Sequence, residues 1–179
     1  MISMKTRLLV FDGNNKLVGI ITASDMVRAF SKSGKDPSLE RGMNKKIIDV
    51  QFSDSILGVI KLMSSKSIGS VIVNEKNSNK MKKPYGIFTE RDLLNKILLK
   101  SIDLETKVGP HCSTPLITAP IYIHSTEAAK LMATNNIKRL PLTDEGKPTA
   151  MITARDLVQV FSTYNKRDLK LDMEEDVYD

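Results

Sequence analysis

The chain has few of the residue types on which several common kinds of protein depend. Its 179 residues include one cysteine, Cys112, which excludes an internal disulfide framework and a cysteine-based zinc cluster. No apolar run approaches ~18 residues and no signal peptide follows Met1, so we expect a soluble, cytoplasmic protein. Trp is absent and only nine residues are aromatic, yet 41% are hydrophobic, which is too many for a disordered chain. The length therefore predicts one or two domains with a buried core.

Positive charge is in excess but unevenly distributed. The net charge is +6, and because residues 166–179 carry −3, residues 1–165 carry +9. A basic body is compatible with nucleic acid or with a phosphate-bearing ligand. The densest cluster has no aromatic neighbour that could stack on a base, and a solvated hairpin loop is its favoured interpretation. This cluster consists of Lys76, Lys80, Lys82 and Lys83.

Three segments of the chain repeat one pattern. Each has an apolar run, a polar turn, a second apolar run ending in Thr, then x-x-Asp and an amphipathic stretch. The segments are 7–30, 70–97 and 139–161, with the aspartates at Asp25, Asp92 and Asp156. The change of period after each Thr predicts a β-hairpin followed by a helix.

The second and third copies also share a front half. Residues 47–70 align with 116–139, and each reads as a short strand and then a helix starting near Ser55 or Ser125, where Ser is a natural N-cap. The predicted domains are an incomplete unit at 1–35 with hairpin and helix only, complete units at 36–100 and 101–165, and an acidic tail at 166–179. The incomplete unit must bury its hairpin and helix, either on the two complete units or with another chain.

The repeated β-α-β-β-α unit resembles the CBS (cystathionine β-synthase) domain. The matching stretches are Gly19-Ile-Ile-Thr-Ala-Ser-Asp25, Gly86-Ile-Phe-Thr-Glu-Arg-Asp92, Ala150-Met-Ile-Thr-Ala-Arg-Asp156 and Ile137-Lys-Arg-Leu-Pro141. The resemblance implies an α/β (α+β) fold in which tandem units pair through their sheets into a Bateman module. It implies clefts for AMP, ADP, ATP or S-adenosylmethionine, homodimerisation, a regulatory role without catalysis, and no required cofactor. Ala150 in place of Gly and the Gly69-Ser70-Val71 stretch depart from the family pattern.

The Thr-x-x-Asp turn has a physical logic as a site for an adenosyl ligand. A carboxylate offers two acceptor oxygens, which match the two vicinal hydroxyls of a ribose. The turn also begins a helix, whose free N–H groups and dipole favour a nearby phosphate. Arg91 and Arg155, each one residue before the Asp, would add a cation.

The predicted sites differ in how complete they are. The first comprises Asp156, Thr153, Arg155 and Arg139, with Lys46 and Ile47 supplied by the preceding unit. The second comprises Asp92, Thr89 and Arg91, and the third comprises Asp25, Thr22 and Ser24. Small apolar residues such as Ile47 and Leu116 would sandwich the base.

Three other interpretations stay open beside the ligand site. Thr followed three residues later by Asp is also a capping box, which needs no ligand, so the chain could be a structural or protein-interaction scaffold. Nucleic-acid binding through the +9 body is less favoured, and no membrane partner is expected. The identity of any regulated protein partner stays open. A metal site at His111, Cys112 and His124 has a poor ligand set, and a buried apolar role is favoured for Cys112.

Overall fold

The first repeat copy is a hairpin followed by one helix. In this computed structural model, which describes residues 7–39, 47–76 and 82–175, β1 (Arg7–Phe11) and β2 (Leu17–Thr22) pair antiparallel and lead into α1 (Ala23–Phe30). The Asp12 carboxylate closes the turn by accepting 2.9 Å hydrogen bonds from the N–H groups of Asn14 and Lys16. The predicted hairpin is therefore confirmed, and its turn chemistry follows from the short acceptor side chain of Asp12.

The second copy is a complete strand–helix–hairpin–helix unit. Its elements are β3 (Asp49–Gln51), α2 (Ile56–Ser65), β4 (Ser70–Lys76), β5 (Lys82–Thr89) and α3 (Glu90–Asp92), which continues as a π turn (Leu93–Ile97) and a 3₁₀ turn (Leu98–Lys100). The sheet order is β3-β4-β5, with β3 parallel and β5 antiparallel to β4. Ser55 caps α2 as predicted, since its Oγ accepts a 3.2 Å bond from the Gly58 N–H.

The third copy repeats this arrangement. A 3₁₀ turn (Gly109–His111) precedes β6 (Ala119–Pro120), α4 (Ser125–Thr134), β7 (Arg139–Asp144), β8 (Lys147–Thr153) and α5 (Ala154–Glu175). The sheet order is β6-β7-β8, and Gly146 takes a positive φ of 75° in the hairpin turn. Helix α5 extends to Glu175 and so includes most of the segment that was predicted as an acidic tail.

The start of α4 differs from the sequence prediction. Ser125 is the first helical residue, not the cap, and its hydroxyl donates a 2.9 Å bond to Asp36 Oδ1. The same carboxylate accepts a 3.1 Å bond from the Thr126 N–H, and its other oxygen is paired with His124. A carboxylate from a distant segment therefore caps this helix, because Asp36 offers the stronger acceptor at the positive end of the helix dipole.

The described chain divides into two compact units that do not follow the repeat boundaries. Of the described residues, one unit contains 7–39, 119–142 and 150–175, and the other contains 47–76, 82–118 and 143–149. In the first, α1 packs against α4 and α5, with the rings of Phe30 and Phe161 stacked at 4.1 Å. The helix of the first copy thus packs on the last copy and buries Val27, but the hairpin that was predicted to be buried with it is exposed.

The core of the second compact unit comes from the sheet and the helices that cover it. Phe52 and Tyr85 meet edge to face beside this core, with ring centroids 5.1 Å apart. The buried residues of this core are Val50, Ile56, Val59, Met63, Val71, Val73, Phe88, Ile97, Val108 and Cys112. These small sheets with separate helices confirm the α+β class. Within the described residues, no helix combines the length and apolarity needed to cross a membrane.

Candidate functional site

The three Thr-x-x-Asp turns have one geometry. In each, the Thr hydroxyl donates to Asp Oδ2 at 2.6–2.7 Å, and the Thr N–H donates to the same oxygen at 2.8–2.9 Å. The pairs are Thr22 with Asp25, Thr89 with Asp92 and Thr153 with Asp156. Each pair lies where a strand ends and a helix begins, so the capping interpretation of the motif is confirmed in all three copies. The cap occupies Oδ2 of the Asp carboxylate in each turn. Whether the carboxylate can bind a further group therefore depends on the surroundings of its other oxygen, Oδ1.

At Asp92, Oδ1 is held by two further groups. The Ser113 hydroxyl donates to it at 2.7 Å, and Lys96 Nζ lies 2.7 Å away. Asp92 is only 5% exposed, so both carboxylate oxygens are satisfied inside the protein. Burial by itself raises the pKa of Asp92, but hydrogen bonds from Lys96, Thr89 and Ser113 together hold that pKa below its ordinary value of 3.8.

The chain path around residue 113 brings Ser113 to Asp92. The Ile87 N–H donates to the Ser113 carbonyl at 3.0 Å, and the Ser113 N–H donates back to the Ile87 carbonyl at 2.8 Å. Lys96 Nζ also donates to the Cys112 carbonyl and to Ser113 Oγ, at 3.1 and 3.0 Å. The backbone can approach this closely because residue 86 is glycine: a Cβ there would lie 2.6 Å from Cys112 Sγ and from the Ser113 carbonyl oxygen.

At Asp25, the carboxylate is open to solvent. Its side chain is 42% exposed, and Oδ1 faces Arg28 at 3.6 Å. The Thr22 hydroxyl and then the Thr22 N–H lower the pKa of Asp25, and Arg28 contributes further in the same direction. Ser24 is half-buried beside this turn. The third predicted site therefore has the most accessible carboxylate of the three.

Asp156 is 9% exposed as a whole residue. The predicted cations differ in exposure, since Arg155 is exposed and Arg139 is half-buried. Both belong to the same compact unit as Asp156.

The contribution of the preceding unit to this first site stays a prediction. Lys46 lies outside the described residues, and Ile47 and Leu116 are half-buried in the other compact unit. Arg91, the predicted cation of the second site, is exposed.

Two residues of the Asp92 cluster were missed by sequence reasoning. Lys96 could have been found, because an Asp and a Lys four residues apart on a helix face each other. Ser113 gave no local signal, since 21 residues separate it from Asp92 and only the bridge to Ile87 places it there.

Cys112 lies in the core, as predicted. It is 5% exposed, its Sγ donates to the Gly109 carbonyl, and burial raises the pKa of the thiol to about 11. Along the described part of the chain, no three His, Cys, Asp or Glu side chains cluster in a way that could hold a metal ion.

Comparison with known proteins agrees with the repeat. The CBS domain matches residues 1–32, 39–99 and 108–163. The chain belongs to the CBS-domain family. An uncharacterized protein of Methanocaldococcus jannaschii, MJ1225, is 27% identical over 169 residues, which is 84% of this chain and 58% of MJ1225. This CBS-domain chain thus spans less than two thirds of that relative.

Solved structures carry the same fold. A conserved protein from Pyrococcus horikoshii superposes with a TM-score of 0.60 at 26% identity, over 70% of this chain and 91% of that one. MJ1225, described as a proposed archaeal homologue of γ-AMPK, superposes with a TM-score of 0.65 at 19% identity, over 88% of this chain and 59% of its own. Inosine-5'-monophosphate dehydrogenase of Staphylococcus aureus is 27% identical over 154 residues, but only 28% of the enzyme is covered.

Proposed function

We propose that this CBS-domain chain is a regulatory module that binds an adenosyl ligand of the AMP, ADP, ATP or S-adenosylmethionine type at its Thr-x-x-Asp turns. The observation that carries the proposal is the shared geometry of the three turns. Thr fixes one carboxylate oxygen with two hydrogen bonds, so the carboxylate is already oriented and loses little rotamer freedom when a ribose binds. The relation to MJ1225, described as a homologue of γ-AMPK, supports the adenosyl class.

The three turns are not equivalent as ligand sites. At Asp92 a ribose would have to replace the bonds from Ser113 and Lys96, and a buried ion pair broken in this way is costly. Asp25 is open to solvent on its Oδ1 side. We therefore rank Asp156 first, because Arg139 and Arg155 lie in its own compact unit, and place Asp92 last.

The competing function is a scaffold in which the turns only cap helices. The observation in its favour is Asp92, whose two oxygens are fully engaged by groups of the protein itself. In this reading the tandem repeats present a surface to other proteins and bind no small molecule.

Calorimetry on the full chain separates the two functions. AMP, ADP, ATP and S-adenosylmethionine are titrated separately into the chain and into Asp156→Asn, with Asp144→Asn as an exposed control. Asn keeps an acceptor for the Thr153 cap but loses the negative charge and the second acceptor oxygen. We expect one ligand to bind tighter than about 1 mM and Asp156→Asn to weaken it at least tenfold, while Asp144→Asn leaves it unchanged.

Two results would overturn the sensing function. One is that none of the four compounds binds tighter than about 1 mM. The other is that binding survives Asp156→Asn, Asp92→Asn and Asp25→Asn alike. Mass spectrometry of small molecules released from the chain as purified gives an independent readout of the ligand class.

A further inference from the structure

The Asp92 turn is closed by two side chains of its own compact unit. The Ser113 hydroxyl donates to Asp92 Oδ1 at 2.7 Å, and Lys96 Nζ lies 2.7 Å from the same oxygen. Lys96 also donates to Ser113 Oγ at 3.0 Å, so the two groups hold each other in place. We call the Ser113 hydroxyl and the Lys96 ammonium the closing pair.

The closing pair takes the position that a ribose would need. Thr89 occupies Oδ2 of Asp92, so Oδ1 is the oxygen at which a further hydroxyl could bind. A ribose offers hydroxyl donors to a carboxylate, and Ser113 offers the same chemical group. The protein therefore already supplies at Asp92 the kind of hydrogen bond that an adenosyl ligand would bring.

Closure is a property of this copy and not of the Thr-x-x-Asp motif. Counted from the Thr of each turn, the position of Lys96 holds Ala29 in the first copy and Val160 in the third. Neither side chain carries a charge. At Asp25, Oδ1 faces Arg28 at 3.6 Å and the side chain is 42% exposed. The same motif is thus closed by an ammonium group in one copy and open to solvent in another.

The two members of the closing pair are held in different ways. The main chain of Ser113 exchanges two hydrogen bonds with Ile87, and the neighbouring Thr114 hydroxyl donates to the Tyr85 carbonyl at 3.1 Å. Ser113 is therefore fixed beside Asp92 by strand β5. Lys96 ends a flexible four-carbon stem, so its ammonium group can move to another anion without a change of the main chain.

A ligand that approaches from solvent meets the closing pair before it meets the carboxylate. Asp92 is 5% exposed, whereas the Lys96 side chain is 37% exposed and Ser113 is half-buried. The hydroxyls of a ribose can replace Ser113 on Asp92, but they give Lys96 no negative charge. Separating this ion pair without a new counter-charge is costly, because both charges lie in a partly desolvated place.

We propose that Asp92 is a self-closed site that opens only to an adenosyl ligand carrying a phosphate. The ribose hydroxyls replace Ser113 on Asp92, and the phosphate replaces Asp92 as the counter-charge of Lys96. Adenosine brings no anion, and S-adenosylmethionine brings a sulfonium cation where the nucleotide has its phosphate. This inference rests on the proposed function and adds the ligand class that one of its turns accepts.

Calorimetry on the full chain tests the inference with AMP and adenosine, which differ only in the phosphate. Binding at Asp92 is the part that Asp92→Asn removes, and Ser113→Ala removes half of the closing pair without changing a charge. We expect Ser113→Ala to tighten this part of AMP binding at least about tenfold. In Ser113→Ala we expect AMP to bind at Asp92 at least about tenfold tighter than adenosine or S-adenosylmethionine.

Lys96→Met removes the group that is assigned to the phosphate. We expect AMP and adenosine to bind at Asp92 of this variant with affinities within about threefold of each other. Lys100→Met, an exposed change on the same helical segment, should keep the full preference for AMP. If Lys96→Met does not fold, Lys96→Gln repeats the test, since it keeps a hydrogen-bond donor and removes only the charge.

Three results contradict the inference while leaving the proposed function intact. In the first, the chain binds AMP at another turn but Ser113→Ala does not tighten binding at Asp92, so the closing pair only stabilises the fold. In the second, AMP and adenosine bind Asp92 of Ser113→Ala equally well. In the third, the preference for AMP survives Lys96→Met. Failure of the proposed function is distinct, because then none of the compounds binds any variant tighter than about 1 mM.

Discussion

Lys96 Nζ lies 2.7 Å from Asp92 Oδ1 and also contacts Ser113 Oγ and the Cys112 carbonyl. This one side chain therefore connects the turn after β5 to the segment that follows the 3₁₀ turn at residues 109–111. Asp92 is nearly inaccessible, whereas the Lys96 side chain is 37% exposed. The ammonium group of Lys96 thus lies between the buried carboxylate of Asp92 and the solvent.

Removing the Lys96 ammonium should destabilise the chain. In Lys96→Met the buried Asp92 loses its charged partner and keeps only hydroxyl and N–H donors. We expect a loss of about 1–2 kcal/mol in the free energy of unfolding, less than for a fully buried pair because Lys96 is partly hydrated. Urea unfolding measures it, with the exposed Lys100→Met as control. Equal stability of the two variants would show that the pair contributes nothing.

Acid should lower the free energy of unfolding, because it protonates the carboxylates of Asp92 and Asp36. Burial raises the pKa of Asp36, but bonds from the Thr126 N–H, Ser125 and His124 bring it below 3.8 overall, and the pKa of Asp92 is also lowered. As the pH falls, these two carboxylates therefore take up protons near pH 3.8 in the unfolded chain and only at lower pH in the folded chain. Their contribution to the free energy of unfolding is present above pH 3.8 and is lost as the pH falls through their lowered pKa values in the folded chain.

The contribution of Asp92 to this acid loss can be isolated. Because Lys96→Met returns the pKa of Asp92 toward or above its ordinary value, the stability gap between the wild-type chain and this variant should narrow below pH 3.8. Urea unfolding from pH 7 to pH 3 measures the gap. A gap that stays constant or widens in acid contradicts the assignment.

Alanine at two matched glycines should have opposite effects. Gly86→Ala drives a Cβ to 2.6 Å from Cys112 Sγ and the Ser113 carbonyl oxygen, so we expect about 1–3 kcal/mol of destabilisation. Gly19→Ala, at the same repeat position, meets nothing within 4 Å and should be neutral or stabilising by ~0.5 kcal/mol, since Ala restricts the unfolded chain. Thermal unfolding of both variants checks the contrast, and similar melting temperatures would refute it.

Asp36 should stabilise the fold by about as much as a typical N-cap residue stabilises a helix. Asp36→Ala removes the acceptor of the Ser125 and Thr126 bonds at the start of α4, and we expect a cost of about 1 kcal/mol. Asp36→Asn keeps an acceptor oxygen but loses the charge, so it should recover only part of that loss. Chemical unfolding compares the two, and an Asn variant as unstable as the Ala variant would point to charge, not capping, as the source of the stability.

The repeat made most of the fold predictable. Apolar alternation, turn residues and the Thr-x-x-Asp signal are local, so they predicted the hairpins at β1–β2 and β7–β8 and the helices after Thr22 and Thr153. The cap of α4 was beyond local reasoning, because its acceptor, Asp36, is 89 residues from Ser125.

The pairing of Thr with Asp in each turn was predictable, whereas the surroundings of each carboxylate were not. Sequence spacing put Thr and Asp together in each turn, and the structure shows the same two bonds in all three copies. The sequence could not show that both carboxylate oxygens of Asp92 are occupied while the carboxylate of Asp25 is open to solvent. That difference depends on Ser113, which is distant along the chain, and on burial.

The sequence by itself determined the family and the three repeated segments, because these follow from pattern and spacing along the chain. Tertiary structure alone decided which carboxylate is sealed, which glycine is crowded, and which of three equivalent hairpins stays uncovered. Those outcomes depend on what lies next to a residue in space. The chemically similar hairpins β1–β2 and β7–β8 differ because β7 also pairs with β6, whereas among the described residues β1 pairs only with β2.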